Sequence, residues 1–170
     1  MLSLIGGAAM NAIHKIPVED AISAMLHGER KTLASAFVEF VKSLRMTPQW
    51  MSCNSWAVSY KGKRICYIKI SNSQTDGTWY IRPSLQYDSA LDSFCRTERL
   101  VSHMLNNVHY CIACGKCAPG KNAVFFGQSL NHVCCAPIDF EFHNPSAEEL
   151  ECVKKLVMFS RQLIANAKSF

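Results

Sequence analysis

Apolar residues recur along this chain at two spacings, and the switches between them mark out its elements. Ile22, Met25 and Leu26 follow Pro17-Val18-Glu19-Asp20. Proline suits the first turn of a helix there, and the acids meet its positive end. Gly28 is expected to stop that helix. Leu33, Phe37, Phe40, Val41 and Leu44 fall three and four residues apart, which predicts a second helix from Glu29 to Arg45, closed by Thr47-Pro48. The spacing then falls to two. Ser55 to Tyr60 sets Trp56, Val58 and Tyr60 on one face. Arg64 to Ser71 sets Cys66, Ile68 and Ile70 on one face and Ile65 and Tyr67 on the other. Thr78 to Arg82 returns before Pro83. Lys61-Gly62-Lys63 and the cluster from Asn72 to Gly77 supply turns, so the three runs predict an antiparallel meander.

Asp88 to Asn106 reads as one helix through Leu91, Phe94, Cys95, Leu100, Val101, Met104 and Leu105. Ala123 to Phe126 and Ile138 to Phe142 read as two more strands. Asp139, Glu141 and His143 alternate with Ile138, Phe140 and Phe142, the pattern of a strand's wet face. Asn144-Pro145-Ser146-Ala147-Glu148-Glu149 opens a last helix, whose stripe is Leu150, Val153, Leu156, Val157, Phe159, Leu163 and Ile164. No fixed repeat and no linker divides the chain. The expectation is a single α+β domain over residues 1–170, an antiparallel sheet of about five strands packed with helices. Residues 1–12 are expected to be flexible, and residues 109–136 to form a cysteine-rich metal-binding subsite.

Composition narrows the function classes. The chain has 170 residues, 49% of them hydrophobic, enough for a core without cross-links. Its 18 Lys and Arg against 13 Asp and Glu give a net charge of +5. The cations are scattered; Arg30-Lys31, Lys61-Gly62-Lys63-Arg64 and Lys154-Lys155 are the local groups. A nucleic-acid binder concentrates such charge on one face or arm, so this spread argues against that role. No run approaches the ~20 apolar residues of a membrane helix, and no Lys or Arg precedes the apolar stretch from Met1 to Ala12 as a secretory leader requires. A cytoplasmic protein without membrane association is expected.

The nine cysteines change the picture more. An odd number argues against a closed disulfide framework, and five of them fall between Cys111 and Cys135. Cys111-Ile-Ala-Cys114-Gly-Lys-Cys117-Ala-Pro-Gly supplies three thiolates at three-residue spacing, with Gly115 free to take the positive φ such a turn needs. A tetrahedral zinc site needs a fourth thiolate, most simply Cys134 or Cys135. A hairpin through Ala123-Val-Phe-Phe and Gly127 returns that pair to the first three. The rival is an iron–sulfur cluster. A bacterial ferredoxin run needs a further Cys three residues after the third, followed by Pro; here that position is Lys121, and Pro119 arrives early. His109 and His132 are alternative zinc ligands. Cys66, Cys95 and Cys152 sit beside apolar neighbours and read as small core hydrophobes, while Cys53 has no assignment.

A catalytic zinc needs an open fourth position beside an acid or base, for which His109, His132, Asp139, Glu141 and His143 are the nearby candidates. No His-Glu-x-x-His, Gly-x-Ser-x-Gly, P-loop or dinucleotide fingerprint occurs, so whether the protein is an enzyme stays open. Trp50, Trp56, Trp79, Tyr60, Tyr67 and Tyr80 gather around the meander and are read as core. The alternative is a pocket or partner surface built from them with Arg82 and Lys69.

The segment Phe37 to Pro83, with Phe-Val-Glu-Phe-Val-Lys-Ser-Leu, Asn-Ser-Trp-Ala-Val-Ser-Tyr-Lys-Gly-Lys and Gly-Thr-Trp-Tyr-Ile-Arg-Pro, resembles small uncharacterised bacterial domains of the YdhG-like type. The cysteine run with Pro119-Gly120, and the stretch Phe-His-Asn-Pro145 up to Glu151-Cys-Val-Lys-Lys, resembles an element appended in some clostridial members. The resemblance implies an α+β domain with an antiparallel sheet. Some relatives of that broad type are discussed as frataxin-like iron carriers, a role built on exposed carboxylates that 13 acids and a net charge of +5 argue against. The functional expectation is a non-catalytic module binding a small molecule or protein partner, with a structural zinc held by Cys111, Cys114, Cys117 and Cys134 or Cys135. An iron–sulfur or redox protein and a zinc-dependent enzyme are the alternatives.

Overall fold

The computed structural model describes residues 15–71, 77–112 and 119–167. The chain enters through α1 (Val18–Met25), with Glu19 and Asp20 in its first turn. Gly28 does not stop this helix as expected. At φ +54 it turns the chain and becomes the first residue of α2 (Gly28–Ser43), while α1 has already ended in extended backbone at Leu26. After α2, Arg45 adopts φ 60 and folds Met46 back onto the Val41 carbonyl at 3.0 Å.

The meander follows as β1 (Gln49–Ser52), β2 (Ser55–Tyr60), β3 (Lys63–Ser71) and β4 (Thr78–Pro83), antiparallel throughout. β1 was not expected: it is short, mostly exposed and shows no alternation to read. Cys53 and Asn54, at φ 45 and 54, make the tight β1–β2 turn, a conformation that suits Asn better than Cys. Periodicity correctly sets Trp56, Ile68, Ile70, Trp79 and Ile81 inward, where they join Phe37, Val41, Val153 and Leu156 in one core. The Trp56 indole N–H donates to the Ile16 carbonyl at 3.0 Å.

The helix expected from Asp88 to Asn106 is two helices, α3 (Ser89–Thr97) and α4 (Val101–Asn106). Arg99 breaks it at φ 58, and Leu100 turns inward, its N–H donating to the Cys95 carbonyl at 2.8 Å. β5 (Lys121–Phe125) and β6 (Gln128–Val133) form a ribbon across Phe126 and Gly127, both at positive φ, as the right-handed twist of a two-residue hairpin demands. β6 was expected only as the return of a hairpin. The strand expected from Ile138 to Phe142 narrows to β7 (Phe142–His143), preceded by a lone bridge at Phe140. The chain closes with α5 (Ala147–Asn166), whose Ser146 and Glu149 form a reciprocal capping box.

The main sheet is antiparallel and five-stranded in the order β1-β2-β3-β4-β7, with α1, α2 and α5 packed on its apolar face. Five strands were expected, but β1 takes the place assigned to residues 123–126. The ribbon β5-β6 is continuous with this sheet through one short segment. Within it Val108 bridges Phe140, and Tyr110 bridges Val133. Tyr87 anchors the ribbon: its ring lies 5.0 Å from Phe125 and 4.9 Å from Phe126, and its hydroxyl accepts the Phe126 N–H at 2.7 Å. No helix among the described residues is long and apolar enough to cross a membrane.

Candidate functional site

The bridge at Tyr110 and Val133 positions the cysteines. Cys111 N–H donates to the His132 carbonyl at 2.7 Å, and Cys134 N–H donates to the His109 carbonyl at 2.8 Å. Residues on paired strands alternate between faces, so this register sets His109, Cys111, His132 and Cys134 on one side of the ribbon and Tyr110 and Val133 on the other. Cys134 is buried and Cys135 exposed. Cys111 and Cys135 each engage a partner. Gly120, at φ +93, lies so close that a Cβ there would stand 3.0 Å from Cys111 Cβ and 2.7 Å from the Val133 carbonyl. Cys114 and Cys117 lie outside the described residues. Among the described residues no group of three or more His, Cys, Asp or Glu side chains is arranged to hold a metal ion.

The histidines near the cysteines already have partners. His132 Nδ1 contacts the Pro119 carbonyl at 2.9 Å. His109 Nδ1 lies 3.4 Å from Glu141 Oε2.

Glu141 corrects the reading of a wet strand face. Asp139 and Glu141 are 6% and 5% exposed. Asp139 accepts the Tyr87 N–H at 2.9 Å and lies 3.6 Å from Lys121 Nζ. Glu141 takes Arg82 Nε on one oxygen and His143 Nε2 on the other. Burial, then the Arg82 charge, then the neighbouring His143 hold the His109 imidazole below its ordinary range; burial and Arg82 do the same to His143. Arg82 already balances the Glu141 carboxylate, so both rings stay neutral near pH 7.

Arg82 belongs to a patterned surface. The register aligns Ser55, Lys69, Tyr80 and His143 in one cross-strand row, and Ala57, Tyr67 and Arg82 in the next. These rows face away from the core tryptophans. Tyr67, Lys69, Tyr80 and Arg82, with Ser52 and Ser55, line a cleft of about 300 Å³ completed by Met51 and Ile138. The guanidinium of Arg82 lies 4.7 Å and the Lys69 ammonium 5.9 Å from the centre of the Tyr80 ring. Arg64 stacks on Tyr67 at 4.5 Å and donates to its hydroxyl. The aromatic cluster thus divides: Trp56 and Trp79 are core, while Tyr67 and Tyr80 line the cleft. What sequence reasoning missed is the pairing of Glu141 with Arg82, 59 positions away with no local signal to connect them.

A larger groove of about 740 Å³ lies between α2, α3 and α5, over the Phe94–Phe159 stack at 4.3 Å. Two of its three cations are paired, Lys154 with Glu151 and Lys155 with Glu98. Of the remaining thiols, Cys53 is exposed and the other three belong to the core. Cys66, Cys95 and Cys152 are buried, and burial drives all three thiols upward, those of Cys95 and Cys152 to about 12.

Compared with protein-family models, curated proteins and solved structures, the chain gives no match.

Proposed function

We propose that this protein is a non-catalytic binding module for a small molecule, its cysteine-rich loop stapled to the sheet by a structural zinc ion. Cys111, Cys114 and Cys117 would hold the ion with Cys134 or Cys135 as the fourth thiolate. The observation that carries this reading is the Tyr110–Val133 bridge. It makes Cys111 and Cys134 near neighbours on adjacent segments although 22 intervening residues separate them in sequence. A closed thiolate site contributes folding energy directly, because the unfolded chain has no preformed site. That suits a ribbon whose main anchors are a few rings and two short bridges.

The non-catalytic part is supported by the surroundings of the acid and base candidates. Asp139, Glu141 and His132 are each engaged in bonds that hold backbone or neighbouring strands in place. Elemental analysis of the purified full chain, with its melting temperature before and after a strong chelator, tests the reading. About one zinc per chain and a lower melting temperature after chelation are expected. Iron in place of zinc, or protein free of both metals and indifferent to chelator, overturns it.

A further inference from the structure

We infer that the cleft on the open sheet face binds a small oxyanion, a carboxylate or a phosphate monoester carried on a flat apolar body. The inference deepens the ligand-binding half of the proposed function and is independent of its metal half.

Charge is the first ground. Lys69 and Arg82 line the cleft, and none of the described residues that line it is acidic. Lys69 makes neither an ion pair nor a hydrogen bond among the described residues; its ammonium only overhangs the Tyr80 ring. A half-buried lysine whose ammonium has no counter-ion among the described residues is a standing attraction for an anion.

The second ground is the way Arg82 is held. Its Nε is engaged by Glu141, whose side chain is 4% exposed, and its plane rests against Tyr80. Both contacts lock the side chain. The two Nη groups make no hydrogen bond among the described residues, so the fork that recognises carboxylate or phosphate bidentately remains available. A guanidinium oriented in advance loses little freedom when an anion arrives.

The third ground is the remainder of the lining. Ser52 and Ser55 offer neutral hydroxyl donors, and Met51, Ile138 and the tyrosine rings offer an apolar wall. About 300 Å³ is at the small end of ligand sites, room for a single ring bearing one anionic group. Arg64, stacked on Tyr67 in the adjoining hollow, extends the positive character at the mouth, where Asp88 is the only acidic lining residue among those described.

The test is a titration of isotope-labelled full-length protein at constant ionic strength with benzoate, phenyl phosphate and uncharged benzamide, followed by NMR. Saturable shifts confined to the neighbourhood of Tyr67, Lys69, Tyr80 and Arg82 are expected with benzoate or phenyl phosphate, and the tighter of the two names the anion. Lys69→Gln should weaken that binding roughly tenfold. Lys69 is the variant of choice because Arg82→Gln also strips Glu141 of its partner and endangers the fold. No saturable shift with either anion, binding of benzamide as tight as that of benzoate, or unchanged affinity in Lys69→Gln overturns the inference. Each of these outcomes leaves the zinc content, measured separately, to decide the metal half.

Discussion

Arg82 donates through Nε to the buried carboxylate of Glu141, across the junction between β4 and the strand beside it. The pair fastens the last strand of the main sheet to the meander and orients the guanidinium at the cleft. Glu141→Gln should therefore destabilise the protein although it changes few atoms. Removing one partner of a fully buried pair costs roughly 3–5 kcal/mol. Arg82 keeps 30% of its side-chain surface in water, so about 2 kcal/mol is expected here. Urea unfolding of the variant against the parent measures it; a change below about 0.5 kcal/mol would mean that the pair is merely a surface contact.

The imidazoles beside this carboxylate make stability depend on pH. His109 and His143 have folded values below the ordinary 6.5, from burial and from Arg82. As pH falls past 6.5 the unfolded chain takes up protons that the folded chain resists, so stability is full above that value and declines below it. Glu19, Glu149 and Asp92 are also depressed, but from carboxylate values, and their contribution is lost only in more acid solution. Melting temperatures between pH 7.5 and 5 should fall, and His109→Gln combined with His143→Gln should flatten that fall.

Thiol chemistry should separate core cysteines from the others. Cys66, Cys95 and Cys152 are buried and their thiolates disfavoured, whereas Cys53 is exposed in a turn. A disulfide reagent at pH 8 should label Cys53 within the first minutes, and the three buried thiols only as fast as the protein unfolds. Peptide mass mapping after timed quenching identifies each site. Early labelling of Cys95 or Cys152 would place them outside a packed core.

Gly120 and Gly62 offer a matched comparison. Both have positive φ, +93 and +75, but a Cβ at Gly62 meets nothing within 4 Å. At Gly120 it meets the Val133 carbonyl at 2.7 Å, where the cysteine segments adjoin. Gly62→Ala should cost about 1 kcal/mol from backbone strain alone. Gly120→Ala should cost about 3 kcal/mol, since crowding against a backbone that cannot yield is added. Equal costs by urea unfolding would show that this corner has room to relax.

Much of the fold was readable because burial leaves a period. Trp56, Ile68 and Ile81 declare the inner face of the meander, and Ser146 with Glu149 declares the start of α5. What escaped lacks a local signal. β1 pairs through its backbone with mostly exposed side chains. The break before α4 depends on Arg99 accepting a left-handed conformation so that Leu100 can be buried. Glu141 sits at a position that alternation assigns to water, and only the distant Arg82 explains its burial. At the candidate site the hairpin that returns Cys134 toward Cys111 was legible from Gly127 and the strand before it. The cleft was legible only as an alternative to core packing, because Tyr67 and Tyr80 have the same composition signal whichever face they occupy.

X-ray absorption at the zinc edge of the purified full chain tests the central claim most directly. A shell of four sulfurs near ~2.3 Å is expected, reduced by one sulfur in whichever of Cys134→Ser and Cys135→Ser removes the fourth ligand. A native protein without a zinc edge, or with a shell of oxygen and nitrogen alone, would contradict it.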